Sequence, residues 1–350
     1  MPSDTTMHGL LNRRTFLSTA AGPLAGCGAT EHRSRTHAQR PPNIVFIMAD
    51  DLGYGELGCY GQEKIQTPRI DQMAAEGMRF SDAYSGCSVC APARSVLMTG
   101  MHMGHTSVRS NPGGVPILDS DITVAELLQE QGYATGCFGK WGLGDIGTDG
   151  VPWKQGFDEF VGYLHQAHAH YYYPLYIFDN ERRLPLDGNE GDGRGTYSHD
   201  VIASRALDFI ERQKDRPFFC YVPFTIPHSE YTAPDDDIYA EYEGRFEELT
   251  LRENPNRPGR LIRPEEPHAT LAAMITRLDR DVGRILDGIA ELGLDEDTIV
   301  FFTSDNGAAA ALWTDYFLSS GRLRGAKRTF YEGGIRVPCP CPISHERGSC

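Results

Sequence analysis

Two pairs of oxygen-bearing side chains in this 350-residue chain could hold a divalent cation. Asp50 and Asp51 stand at the end of one apolar run, and Asp305 and Asn306 stand at the end of another. Carboxylate and amide oxygens, without sulfur or imidazole, are the ligands that a hard cation such as Ca²⁺ prefers. Each pair alone is also an ordinary turn sequence. The sequence therefore predicts a metal site on the condition that the fold brings the two pairs together.

The apolar runs before these pairs indicate the fold class. Residues 43–48 and 299–303 have the composition of strands buried on both faces of a parallel sheet. Further elements are predicted at regular intervals, as helices from Pro68 to Gly77, Asp121 to Gln131, His199 to Lys214 and Leu271 to Ile289, and as strands from Tyr133 to Phe138 and Pro217 to Thr225. This alternation predicts an α/β fold with a mixed, mostly parallel central sheet and helices on both faces. Ligands bind such sheets at the carboxyl ends of the strands, where both pairs would lie.

Three segments lack helical or strand periodicity. Residues 139–144 are predicted to form a loop after a strand, and residues 230–267 an acidic inserted loop region. Residues 145–198 are rich in Gly, Tyr and His, which indicates long loops close to a binding surface.

A second chemical signal is the spacing C-x-P-x-R-x4-T-G, which begins at Cys90 and contains Arg94. A lone cysteine is usually a buried structural thiol. Cys87 and Cys90 also form a C-x2-C pair, which a redox or metal site would use. The Pro-x-Arg that follows does not belong to either pattern. We expect Cys90 to lie in a turn just before a helix that starts near Ser95.

This spacing resembles the signature of the type I sulfatases, arylsulfatase-like enzymes whose cysteine is oxidised to Cα-formylglycine. Other family motifs follow in the family's order over residues 42–338, namely Ala49-Asp50-Asp51-Leu52-Gly53-Tyr54-Gly55, Gly139-Lys140-Trp141, Pro227-His228, Ser304-Asp305-Asn306-Gly307 and Tyr331-Glu332-Gly333-Gly334. The resemblance implies the alkaline phosphatase superfamily fold and a formylglycine-generating enzyme as a partner during maturation.

The resemblance also assigns roles. It implies Ca²⁺ held by the two pairs and by residue 90, so that the expected metal ligands are Asp50, Asp51, Cys90, Asp305 and Asn306. The implied catalytic residues are Cys90, Arg94, Lys140, His228 and Lys327, of which Lys140, His228 and Lys327 also bind substrate. In the implied reaction, one hydroxyl of the hydrated formylglycine attacks sulfur and the other expels sulfate. His228 protonates the leaving oxygen.

One position departs from the family pattern. Sulfatases commonly have histidine two residues after the lysine that corresponds to Lys140, and this chain has Gly142. His165, His168 and His170 in the following loop could replace that imidazole, and we expect His168 and His170 to be substrate-binding residues. The alternative is a solvated surface loop.

We assign the catalytic domain to residues 42–338. The segments before and after it differ from it in sequence character. Residues 1–27 contain Arg13-Arg14 and Leu24-Ala25-Gly26-Cys27, which resemble a twin-arginine export signal and a lipobox. Residues 28–41 are predicted to be a flexible tether, so we expect a bacterial cell-envelope protein that touches membrane only through a lipid anchor, with few structural disulfides. Residues 339–350 have no apolar pattern and are predicted to be a tail foreign to the family. Our hypothesis is a C-terminally truncated domain without the family's C-terminal subdomain.

The formal net charge of −15 argues against nucleic-acid binding, which requires a basic face. The function that we predict is hydrolysis of the sulfuric ester of a small molecule or carbohydrate. Two alternatives stay open: a phosphate or phosphonate ester hydrolase on the same scaffold, and an inactive lipid-anchored remnant.

Overall fold

The computed structural model describes residues 40–251, 265–309 and 315–342. The strands are β1 (Asn43–Ala49), β2 (Gly77–Tyr84), β3 (Ala134–Lys140), β4 (Glu159–Tyr163), β5 (Tyr176–Asp179), β6 (Arg182–Pro185), β7 (Phe218–Pro223), β8 (Thr298–Ser304) and β9 (Arg336–Pro342). The helices are α1 (Pro68–Glu76), α2 (Cys90–Thr99), α3 (Val124–Glu130), α4 (Ser198–Gln213), α5 (Asp237–Ala240), α6 (Pro267–Glu291) and α7 (Glu332–Ile335). The predicted signal and most of the predicted tether lie outside the described residues.

The central sheet has seven strands in the order β6-β5-β4-β3-β7-β1-β8. Strands β4, β3, β7, β1 and β8 are parallel, and β5 and β6 continue the sheet antiparallel. Ala49 of β1 is in register with Ser304 of β8, so both strands end at the same level. The predicted mixed, mostly parallel α/β fold is confirmed.

Strand β1 is buried on both faces of the sheet, which explains its uninterrupted apolar sequence. Val45 and Ile47 join a core cluster with residues of α4 and α6. Phe46 and Met48 point to the opposite face, where they pack with residues of α2 and α3. Because successive side chains of a strand alternate between faces, burial on both faces requires an uninterrupted apolar sequence.

Helix α1 begins at Pro68 as predicted, but a residue of another helix supplies its cap. Asp279 of α6 accepts hydrogen bonds from the backbone N–H groups of Arg69 (3.1 Å) and Ile70 (2.7 Å). The hydroxyl of Thr67 instead accepts from the N–H of Gly58 at 2.9 Å. The first N–H groups of a helix lack intrahelical partners, so this carboxylate fixes α1 against α6.

Several predicted boundaries were wrong. Helix α2 begins at Cys90 itself, five residues before the expected start at Ser95. Strand β3 continues through Lys140, where a loop was expected. Residues 145–198 contain β4, β5 and β6 because these short strands extend the sheet from β3.

The prediction that no strand forms after Pro338 was also wrong. Strand β9 continues to Pro342 and pairs antiparallel with β2, with Cys339 opposite Phe80 and Cys341 opposite Met78. Two-stranded pairing tolerates the prolines because a strand of such a ribbon needs hydrogen bonds on one side only.

Within the described residues, no helix combines the length and apolar character required to cross a bilayer. Seven cysteines of the described residues have free thiols, namely Cys59, Cys87, Cys90, Cys137, Cys220, Cys339 and Cys341.

Candidate active site

The two predicted pairs of oxygen ligands meet at the carboxyl edge of the sheet. The Asp305 N–H donates to the Ala49 carbonyl at 3.1 Å, which continues the pairing of β1 with β8. The Asp51 N–H then donates to Asp305 Oδ1 at 3.2 Å. The side chains of Asp50, Asp51, Asp305 and Asn306 are all buried. The sheet register therefore brings together residues 255 positions apart, as in the 2.7 Å hydrogen bond from Asn306 Nδ2 to Asp51 Oδ1.

Three buried cations surround these carboxylates. Lys140 Nζ lies 2.6 Å from Asp50 Oδ2, and Arg94 donates to Asp305 Oδ2 from Nε (3.0 Å) and Nη2 (2.7 Å). Burial alone would raise the pKa of Asp50, but Lys140, His228 and Arg94 hold that pKa well below its ordinary value. The pKa of Asp305 is raised, because burial and the neighbouring charge of Asp50 outweigh the effect of Arg94.

Lys327 is the third cation, and it joins the carboxylates to the predicted nucleophile. Its Nζ lies 2.6 Å from Asp51 Oδ1, 3.3 Å from Cys90 Sγ and 3.3 Å from His228 Nε2. Burial would lower the pKa of Lys327, but the carboxylate of Asp51 raises it above the ordinary value. One ammonium group therefore contacts three of the predicted site residues.

Cys90 lies at the first turn of α2, directly beside the acidic pair. Its Sγ is 3.4 Å from Asp50 Oδ1 and 3.8 Å from Asp51 Oδ1. Burial raises the pKa of this thiol well above its ordinary value, and the charge of Asp305 raises it further. Arg94, one turn later in α2, directs its guanidinium to Asp305 and to the Lys140 carbonyl.

His228 belongs to a second cluster that touches the first. Its Nε2 is 3.4 Å from Asp51 Oδ2, and its Nδ1 is 2.6 Å from Glu230 Oε2. His170 stacks on His228 with ring centroids 3.8 Å apart, and its Nδ1 is 3.3 Å from Glu230 Oε1. Burial, and secondarily the nearby His228, lowers the pKa of His170 to about 3. Burial would raise the pKa of Glu230, but hydrogen bonds to His170 and His228 hold it below the ordinary value.

The structure separates the two predicted loop histidines. His168 packs against the rings of Tyr163 and Tyr176, each with a centroid distance of 4.9 Å. It lines a different cavity, together with His165 and Asp145. Burial lowers the pKa of His168 to about 4. Its predicted role in substrate binding stays a prediction, whereas His170 lies directly against His228.

Gly142 has a conformation that disfavours the family's histidine. Its φ is +77°, in the left-handed region, and a Cβ built there would lie 2.2 Å from Gln166 Nε2. A histidine at this position would therefore require both a strained backbone and displacement of Gln166.

Glu230 is a residue that the sequence analysis missed. It follows His228 by two positions in Pro227-His228-Ser229-Glu230. A carboxylate so close to a candidate acid was an available signal, because such an imidazole commonly has an acidic partner that fixes its orientation.

The residues of the sheet edge fit a hard cation. Asn306 Oδ1 is buried and accepts no hydrogen bond from any described residue, whereas its amide nitrogen donates to Asp51 and to the Gly307 carbonyl. A buried acceptor without a donor suits a bound cation. Ligand atoms of Asp50, Asp51, Cys90 and His228 also lie within 4.8 Å of one another.

Comparisons with known proteins identify the family to which this chain is related. The sulfatase family model matches residues 42–339. Human arylsulfatase A is 35% identical over 332 residues, which cover 85% of this chain and 58% of the human protein. Dog N-acetylgalactosamine-6-sulfatase is 32% identical over 373 residues, covering 96% of this chain and 63% of the dog protein.

A solved structure shows the same similarity in three dimensions. Ps i-CgsB, crystallised in complex with k-i-k-neocarrahexaose, superposes with a TM-score of 0.69 at 28% identity, covering 87% of this chain and 66% of that protein. The matched part of this chain spans 58% of the length of the human arylsulfatase A and 63% of that of the dog N-acetylgalactosamine-6-sulfatase. The family match, the relatives and the fold together show that this chain belongs to the sulfatase family, which has the alkaline phosphatase-like fold.

Proposed function

We propose that this protein hydrolyses sulfate esters at the site formed by Cys90, His228 and Lys327. The observation that carries the proposal is the position of Lys327 Nζ, which lies 3.3 Å from both Cys90 Sγ and His228 Nε2. A sulfate group held by this ammonium would lie between a nucleophile at position 90 and an imidazole that can protonate the leaving oxygen.

Ca²⁺ is the metal that we propose for this site. Asp50, Asp51, Asp305 and Asn306 would hold it, and the unsatisfied Asn306 Oδ1 supports this assignment. The bound cation would supply positive charge against the sulfate oxygens and the nucleophile.

We propose that Cys90 is converted to Cα-formylglycine by a formylglycine-generating enzyme. The motif around Cys90 supports this conversion, since it matches the family signature at five positions from Cys90 to Gly100. The aldehyde hydrate would supply the attacking hydroxyl and a second hydroxyl for release of sulfate.

The chain's own side chains would perform the remaining steps. Lys140 and Lys327 stabilise negative charge on the sulfate oxygens. Arg94, bonded to Asp305 and to the Lys140 carbonyl, fixes the position of one metal ligand and the end of β3. His228 donates a proton from Nε2, while Glu230 accepts a hydrogen bond from its Nδ1 and thereby fixes the ring. His170 limits rotation of His228 by stacking on it.

The substrate class that we propose is a sulfated carbohydrate. Support comes from Ps i-CgsB, which was crystallised with an oligosaccharide. Export by a twin-arginine signal and lipid anchoring at the cell envelope belong to the same proposal and rest on the N-terminal sequence alone.

Two measurements on the full chain, produced together with a formylglycine-generating enzyme, test the proposal. Mass spectrometry of the peptide Phe80–Arg94 should show the aldehyde form of residue 90. The matured protein should hydrolyse 4-nitrophenyl sulfate faster than 4-nitrophenyl phosphate, and Cys90→Ala should abolish the sulfatase activity. Faster hydrolysis of the phosphate would favour the phosphoester alternative, and an unmodified, inactive protein would contradict the proposal.

A further inference from the structure

A cavity of about 320 Å³ joins the proposed site to the protein surface. Asp51, His228 and Lys327 line it together with Asn111 and Arg328. The proposed hydrolysis uses the first three residues but has no role for Asn111 or Arg328. These two are therefore available to recognise a part of the substrate other than the sulfate that is cleaved.

Arg328 differs from the other cations of the site in its exposure and in its ion pairing with the described residues. Arg94, Lys140 and Lys327 are buried, and each is paired with a carboxylate. Arg328 is exposed, and within the described residues its guanidinium forms no ion pair. Among the residues that the structure describes, no carboxylate balances its charge, in a protein whose formal net charge is −15.

The backbone of Arg328 has a conformation that arginine rarely adopts. Its φ is +72°, in the left-handed region. This conformation costs a residue other than glycine about 1 kcal/mol or more. The Arg328 N–H donates to the Ser88 carbonyl at 2.8 Å, and the neighbouring Lys327 N–H donates to the Ala308 carbonyl at 2.9 Å, so the surrounding chain maintains this geometry. An arginine at a position that suits glycine points to a use for the side chain.

Asn111 offers a second donor in the same cavity. Its Oδ1 accepts a hydrogen bond from the Ala91 N–H at 3.2 Å, in the first turn of α2. The oxygen of the amide is thereby engaged, and the NH₂ group is the part that can donate to a ligand.

We propose that Arg328, assisted by Asn111, binds a second oxyanion of the substrate, beside the sulfate that is hydrolysed. A guanidinium forms paired, parallel hydrogen bonds with two oxygens of a sulfate or of a carboxylate. The preferred substrate is thus a carbohydrate that carries either a second sulfate or the carboxylate of a neighbouring uronic acid. This inference rests on the proposed sulfatase function of the same site.

Binding measurements without turnover test the inference separately from hydrolysis. In the full-length Cys90→Ala background, isothermal titration calorimetry would compare three ligands: N-acetylglucosamine 6-sulfate, glucosamine 2-N,6-O-disulfate, and a disaccharide of a uronic acid and N-acetylgalactosamine 6-sulfate. We expect at least one dianionic ligand to bind about tenfold more tightly than the monoanionic N-acetylglucosamine 6-sulfate. The dianion that shows the preference identifies a sulfate or a carboxylate as the second group.

Substitutions of Arg328 would test whether its side chain causes this preference. Arg328→Gln should reduce it to within about twofold, whereas Arg328→Lys should retain part of it. Arg322→Gln is the matched control, because it removes the same charge from an exposed arginine that does not line this cavity, and it should retain the full preference. Arg328→Gly should lose the preference without a lower melting temperature, since glycine accepts the left-handed backbone.

Two results would overturn the inference: no dianion preferred over the monosulfate, or an unchanged preference in Arg328→Gln. Failure of the proposed function is a different result, in which the matured unaltered chain does not hydrolyse 4-nitrophenyl sulfate.

Discussion

The imidazole rings of His170 and His228 stack with their centroids 3.8 Å apart, at an interplanar angle of 20°. The two oxygens of Glu230 contact the Nδ1 atoms of both rings, at 2.6 Å from His228 and 3.3 Å from His170. These contacts hold His228 from one side and leave its Nε2 beside Lys327. His170 thus occupies a position from which it can orient the proposed acid.

The first prediction concerns this orientation. His170→Ala removes the stacking partner, and we expect kcat for 4-nitrophenyl sulfate to fall by about 10- to 100-fold while KM changes little. His170→Phe keeps an aromatic partner without the contact to Glu230, so its kcat should be intermediate. Steady-state kinetics of the matured variants would measure both effects.

His168→Ala is the matched control for that prediction. The His168 ring packs among Tyr163, Tyr176 and Phe178, so its loss should lower the melting temperature more than it lowers kcat. Equal losses of kcat in the two alanine variants would contradict the orienting role of His170.

The second prediction concerns Lys327. Lys327→Met keeps the length of the side chain but removes the charge between Asp51, Cys90 and His228, so kcat/KM should fall by roughly 10²- to 10³-fold. Lys154→Met removes an exposed lysine that pairs with Asp149 at 2.8 Å, and it should leave kcat/KM unchanged. A Lys327→Met variant with nearly normal kcat/KM would show that the sulfate is held elsewhere.

The third prediction concerns calcium and can be tested without measuring enzyme activity. Ca²⁺ should raise the melting temperature of the chelator-treated protein, because a ligand at about 100 times its Kd stabilises the folded state by about 2.7 kcal/mol. Asn306→Ala removes the unsatisfied acceptor and should abolish most of this rise.

Asn43→Ala is the control for the calcium measurement. Asn43 is also buried but lies at the opposite end of β1, where its amide donates to Thr298 Oγ1 at 3.1 Å. This variant should melt at a lower temperature yet keep the rise on adding Ca²⁺. The same rise in Asn306→Ala as in the unaltered protein would contradict the assigned ligand set.

The fourth prediction concerns stability and pH. Burial raises the pKa of Glu56 from 4.5 to about 7, although the Gly53 N–H donates to its carboxylate at 2.7 Å. A raised folded-state pKa means that the folded protein favours the protonated form. The contribution of Glu56 to the free energy of unfolding is therefore fully present below pH 4.5 and is lost as the pH rises towards about 7. The total loss is on the order of 3 kcal/mol, at about 1.4 kcal/mol per pH unit.

Urea unfolding of the chelator-treated protein at pH 5 and pH 8 would measure this loss. Glu56→Gln is neutral at both values and keeps an acceptor for Gly53, so it should lose less stability between them. Glu76→Gln, which alters an exposed carboxylate at the end of α1, should behave like the unaltered protein. Equal losses in Glu56→Gln and the unaltered protein would contradict the assignment to Glu56.

The sequence alone determined the fold class and the central part of the site. Apolar runs followed by acidic residues marked β1 and β8, and parallel strands necessarily bring their carboxyl ends to one edge. The spacing around Cys90 indicated the family, because it depends on residues that are neighbours in the chain. These local patterns are sufficient to predict that Asp50, Asp305 and Cys90 lie near one another.

The tertiary structure decided the features that depend on distant contacts. No local pattern distinguishes His168 from His170, yet one packs among aromatic rings and the other stacks on a histidine 58 positions later in the chain. Likewise, the proline-containing sequence of β9 did not predict a strand, and the strand forms because it pairs with β2. The positive φ of Gly142 and of Arg328 follows from loops held by remote backbone groups. Local sequence indicates which segments form the main helices and the central strands, but which loop residues meet at the sheet edge is set by packing between segments far apart in the chain.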